Sequence, residues 1–167
     1  SERNFYQKIT DIYATSLDYD PKSTLTKNFF ATVQNKMHYG IHGHTAAEVI
    51  VARADAQKPN MGITSVPQGK IKRNDVFIAK NYLTEDEIYD LNLIVDQYLS
   101  FAEMQARKKK PMKMVDWIHK LDDFLKLNEK EILKTAGSVS KETAEIKAGM
   151  EYEKLISHLA GRLNNLE

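Results

Sequence analysis

Apolar residues recur every three or four positions along most of this chain, and that period predicts helices. A first helix is expected from Asn4 to Leu17, with Phe5, Ile9, Ile12 and Tyr13 on one side. Asp18 to Pro21 reads as a turn. A second helix then starts at Pro21 or Ser23 and carries Leu25, Phe29, Val33 and Met37 in an i, i+4 row up to Tyr39. Gly40 and Gly43 interrupt the pattern. Thr45-Ala46-Ala47-Glu48 has the form of a capping box, so a third helix is expected from there to about Ala56.

The middle of the chain is less periodic. Lys58 to Gly62 and Pro67 to Lys70 bracket a loop whose centre, Ile63 to Val66, is either a short extended pair or irregular. Asn74 can cap a short helix from Asp75 to Asn81. Thr84 to Glu87 is a second capping box, and it opens a long helix carrying Ile88, Leu91, Val95, Tyr98 and Ala102. That helix ends in Arg107-Lys108-Lys109-Lys110, where cations suit the helix dipole; a nucleic-acid or partner contact is the alternative use of the run. A further helix is expected from Pro111 to Lys134, with Met114, Trp117, Ile118, Leu121, Leu125 and Ile132 as its stripe. The last should run from Ser140 to about Asn165 with Ala148, Tyr152, Leu155, Leu159 and Leu163. The fold class is therefore all-α: a single bundle-like domain over residues 1–167 with about six helices. The long stripes also suit a homodimer.

Candidate chemistry concentrates at residues 38–48. Three of the five histidines, His38, His42 and His44, fall within seven positions beside Gly40 and Gly43. The capping box places Gly43, His44 and Thr45 at a helix N-terminus, where bare N–H groups and the dipole favour an anion. His38, His42 and His44 would supply acid–base chemistry near neutral pH, with Gly43 and Thr45 at the anion. Arg53, Lys58 and Asn60 are further ligand-binding candidates, each with a plainer reading as a salt bridge or a turn. Two other readings of the histidine turn stand beside this one. It can be a simple helix–helix turn, or His38, His42 and His44 can bind a metal, with His38 and His42 one helical turn apart. No Asp or Glu offers itself as a further metal ligand, so no metal site is assigned.

Composition narrows the classes. A net charge of +1 gives no whole-surface attraction to nucleic acid or membrane. No apolar run is long enough to span a bilayer, and no secretory signal opens the chain. There is no cysteine, which removes disulfides and thiolate metal sites and suits a cytoplasmic setting. Phosphate-binding loops of the P-loop or dinucleotide type are absent, and no cofactor is indicated.

Several segments resemble the RhuM family of bacterial virulence-associated proteins. They include Phe5 to Lys8, Asp11 to Pro21, Phe29 to His38, His42 to Glu48, Lys58 to Gly62, Ala79 to Leu83, Met114 to Ile118 and Leu121 to Leu125. The resemblance implies a bacterial cytoplasmic protein linked to mobile elements. It also implies an N-terminal DNA-binding region that precedes this chain, so that DNA would be reached only through that region and this chain would be the C-terminal part. A second, degenerate resemblance is to the Fic and Doc proteins, which implies an alternative, distantly Fic-like fold holding a nucleotide. Their histidine is matched by His38 and their glycine by Gly43. Gly40 stands at their aromatic, His42 at their acid, His44 at their asparagine and Ala46 at their arginine. Two functions follow: an interaction or dimerisation module, or an enzyme transferring a nucleotidyl or phosphoryl group.

Overall fold

The structure, a computed structural model, describes residues 2–65 and 69–165, with side chains from Gln7 onward. Among these, six α-helices occur and no strand: α1 (Glu2–Tyr13), α2 (Thr24–His42), α3 (Ala46–Arg53), α4 (Glu85–Arg107), α5 (Met114–Leu127) and α6 (Lys141–Asn165). Three 3-10 turns, Pro59–Gly62, Arg73–Phe77 and Ala79–Tyr82, fill the stretch between α3 and α4. No helix among the described residues is long and apolar enough to cross a membrane. The chain divides into two compact units, Ser1–Gly43 with Tyr89–Ala136, and His44–Ile88 with Gly137–Glu167.

The first unit is built on aromatic residues. Tyr13, Phe29, Tyr98 and Trp117 are all buried. The Tyr13 and Tyr98 hydroxyls meet at 2.8 Å, so each phenol has a polar partner inside an apolar core. Phe29 lies edge-on to Tyr13, with ring centroids 4.5 Å apart. Burial holds both phenols un-ionised: each pKa is raised above the ordinary tyrosine value, chiefly by desolvation. Helix α2 packs on α5, and Lys36 ties the pair. Its buried ammonium donates to Asp122 at 2.9 Å and to the Leu133 carbonyl at 2.7 Å.

Several expectations are corrected here. Helix α1 stops at Tyr13 rather than Leu17. The Thr15 hydroxyl takes the Ile12 carbonyl at 2.6 Å, and the Leu17 N–H donates to Met112 instead of continuing the helix. Ser23 caps α2 by accepting from the Thr26 N–H. Leu25, expected in the core, is 79% exposed. Gly40 does not end α2. The helix continues to His42, with Leu125 and Lys130 packed beside Gly40, each 3.4 Å from where a Cβ would stand. Helix α5 covers Met114 to Leu127 only, so Ile132 lies outside it. Phe5 falls outside the described side chains.

In the second unit α3 packs on α6, and the 3-10 turns close around them. Val49, Met61, Tyr82, Leu83 and Ala148 form its core. The Tyr82 hydroxyl donates to the Val76 carbonyl at 2.6 Å. Helix α3 ends at Arg53 rather than Ala56. The chain then turns through Asn60 and Met61, both with positive φ (53° and 49°), before Gly62 at 89°. Gly62 is obligatory: a Cβ there would overlap the Arg53 carbonyl oxygen. The helix expected over 75–81 is two 3-10 turns, and Asn74 does not cap it; Asp75 accepts from the Lys72 N–H at 2.8 Å instead. Ile63 to Ser65 has no regular structure, and Val66 lies outside the described residues. The second capping box forms as expected: the Thr84 N–H donates to Glu87 at 2.8 Å and the Glu87 N–H to Thr84 at 3.2 Å.

Candidate functional site

The histidine–glycine segment straddles the division between the units, so its two sides are described separately. In the first unit, His38 sits in α2 and is 3% exposed. Its Nδ1 lies 2.9 Å from Nε2 of His42, one helical turn on. Burial, with His42 adding to it, pushes the His38 pKa down to about 4. A histidine so held is neutral at pH 7 and is a weak base. Gly43 ends α2 in the left-handed conformation, φ 79°, and its N–H donates to the Tyr39 carbonyl.

In the second unit, the capping box at α3 is formed on both sides. The Glu48 N–H donates to the Thr45 hydroxyl at 3.2 Å, and the Thr45 N–H donates to the Glu48 carboxylate at 2.8 Å. Thr45 has no exposed surface. The segment before α6 lies on this helix start: the Ser138 N–H and hydroxyl both donate to Glu48, each at 2.8 Å. Gly137 is so close that a Cβ there would stand 2.6 Å from the Thr45 methyl. The Ser138 and Thr45 N–H groups, the Ser138 hydroxyl and His44 outweigh partial burial and bring Glu48 down to about 2. The carboxylate of the chain's own Glu48 thus takes the N–H groups that an external anion would use.

Arg53 is engaged as well. Its guanidinium holds Glu87 through two bonds, 2.6 Å and 2.9 Å, and donates to the Tyr82 carbonyl at 3.0 Å. This bidentate pair is the reason Glu87 titrates near 2. Among the described residues no group of three or more His, Asp or Glu side chains could hold a metal ion.

Lys58 and Asn60 open onto something different. They line a cavity of about 580 Å³ on α6, with Lys70, His158 and Arg162. Among the described residues no acidic side chain lines it, and its apolar wall includes Ile156 and Leu159. A second groove, about 780 Å³, runs along the first half of α6 and is edged by Glu142, Glu145 and Glu153 with Ile146 and Met150 exposed in it. Glu153 is bridged to Arg73 at 2.8 Å. Between these cavities α6 itself changes character. Ala144 and Ala148 are buried against the unit, and Glu151 is held by Lys147 and Lys154. From Ile156 to Asn165 every residue is exposed.

Nothing in the helical period distinguished this half of α6 from a core helix: Leu159 and Leu163 continue the stripe of Ala148 and Tyr152. Lys70, His158 and Arg162 are distant in sequence from Lys58, and only the fold brings them to one cavity.

No curated protein and no solved structure matches this chain. The family model described as "Virulence protein RhuM family" matches residues 1–160. That match takes in both compact units, from α1 to most of α6, and the chain belongs to the RhuM family of virulence proteins.

Proposed function

We propose that this chain is an interaction module that pairs with a second copy of itself through α6, and that it performs no group transfer at the histidine turn. The observation that carries the reading is the seam Gly149, Tyr152, Ile156, Leu159 and Leu163, spaced three and four apart along α6. Ile156, Leu159 and Leu163 are 42%, 46% and 66% exposed. Alternating steps of three and four are the spacing by which two helices interlock. Covering a large aliphatic side chain is worth roughly 2 kcal/mol when complete, whereas association opposes it by about 4–15 kcal/mol. A seam of this size supports a concentration-dependent dimer.

The engaged state of the helix start favours this reading over catalysis. Glu48 already occupies the N–H groups of Thr45 and Ser138, and His38 is a buried, neutral ring. Membership of a family of virulence proteins supports a bacterial setting for such a module. Sedimentation equilibrium of the wild type between about 5 and 500 μM tests the module, a range set by such a seam's modest net energy. A dimer that is lost in Leu159→Asp, with the helical signal and melting temperature retained, is the expected result. A wild type that stays monomeric throughout overturns it.

A further inference from the structure

Charge along α6 is unevenly distributed, and the unevenness carries information about orientation. Counting back from the apolar seam by the same three-and-four spacing reaches Glu145 and then Glu142. Both are exposed, and neither makes an ion pair among the described residues. The seam therefore begins acidic and continues apolar. Its far end is flanked by cations: Arg162 stands next to Leu163, and Lys58 and Lys70 line the same cavity as Arg162. None of these three has an ion-pair partner among the described residues either.

We propose that two copies of α6 pair antiparallel, the acidic first half of each lying against the cation-lined cavity of the other. The inference rests on the dimer reading above and adds its orientation. A parallel pair would set Glu142 and Glu145 of one copy directly against the same residues of the other, and like charges facing across a seam oppose association. It would also crowd Lys58, Lys70 and Arg162 onto their own equivalents. The antiparallel pair replaces both repulsions with attraction, and it does so twice, because a two-fold axis repeats every contact. It also sets the two helix dipoles antiparallel, each N-terminus beside the other's C-terminus. With the axis near the middle of the seam, Tyr152 faces Ile156, Gly149 faces Leu159, and Glu145 meets the Arg162–Leu163 end. Gly149 opposite Leu159 gives the larger side chain room, since a Cβ at Gly149 has nothing within 4 Å in the isolated chain.

A charge exchange tests the orientation. Arg162→Glu should weaken the dimer about tenfold or more, since each of two symmetric contacts becomes repulsive, on the scale of about 1.4 kcal/mol per tenfold. Adding Glu145→Arg to the same chain should return the dissociation constant to within about threefold of wild type, the mark of a direct pair rather than of lost fold. A dimer indifferent to Arg162→Glu, or a double variant weaker than the single one, overturns the orientation and leaves the dimer standing. Because the chain has no cysteine, a second measurement is clean. Oxidised together, the Glu145→Cys and Leu163→Cys chains should form a mixed disulfide, and Leu163→Cys alone should not link to itself. Self-linked Leu163→Cys would establish the parallel pair instead. A wild type with no dimer at 500 μM removes both the orientation and the reading it rests on.

Discussion

The start of α3 and the end of α6 lie in the same compact unit and use their helical groups in opposite ways. At α3 the chain spends its own polar groups on itself: Thr45, Glu48 and Ser138 bond one another, and Thr45 is fully buried. At α6 it leaves Ile156, Leu159 and Leu163 open to solvent, beside cations that have no ion-pair partner among the described residues. A region rich in histidine and glycine drew attention in the sequence because such residues carry chemistry. A region of ordinary leucines did not. The proposed reading reverses that ranking, since a site needs groups that are still available, and availability is decided by what packs against them.

If this contrast is right, substitutions at α3 should damage the fold and substitutions at α6 should damage association. The largest effect is expected at Gly137. Its φ of 91° is unfavourable for any side chain, and a Cβ would press on the Thr45 methyl. Gly137→Ala should destabilise the protein by about 2–3 kcal/mol, read by urea denaturation. Thr45→Ala should cost about 1–2 kcal/mol by removing the cap oxygen from the Glu48 N–H. An unchanged midpoint in both variants would mean that Gly137 and Ser138 do not hold the helix start.

Acid should act next. Glu48 and Glu87 have folded pKa values of about 2, below the ordinary 4.5. Their stabilisation is full above the unfolded value and is lost as pH falls from about 4.5 through 2. His38 has its folded pKa depressed to about 4 from 6.5, so the unfolded chain takes up a proton first. Its share is full above about 6.5 and fades on acidification towards 4. Melting temperature measured from pH 8 to pH 3 should therefore fall in two stages. Glu48→Gln should flatten the lower stage and His38→Phe the upper. The smallest effect on the fold is expected at Leu163→Ser: a melting temperature unchanged at low concentration, within the range usual for surface substitutions, together with a weaker dimer.

Local signals were legible where they depended on near neighbours. Both capping boxes and the span of α6 follow from residues within four positions of each other. Helix ends set by distant partners were not. Leu17 leaves the helical path to bond Met112, and the Met114 N–H is met by Asp18 across 96 residues of chain. Gly40 looked like a stop because glycine is a poor helix former, yet α2 runs through it, packed beside Leu125 and Lys130, and ends only at Gly43. Among the expected ligand residues, Arg53 is consumed by Glu87, a pairing across 34 positions. Lys58 and Asn60 do face a cavity, but the other basic residues lining it are Lys70, His158 and Arg162, which no local pattern links to them.

The paired left-handed residues Asn60 and Met61 have a consequence for that cavity. Met61 is wholly buried, its N–H bonded to Lys58 and its carbonyl to Asp55, and Gly62 admits no other residue beneath Arg53. Lys58 therefore stands on a backbone with almost no freedom to give up. When an opposing carboxylate arrives, the lysine side chain has to be ordered but the loop beneath it does not, and more of the attraction survives as affinity.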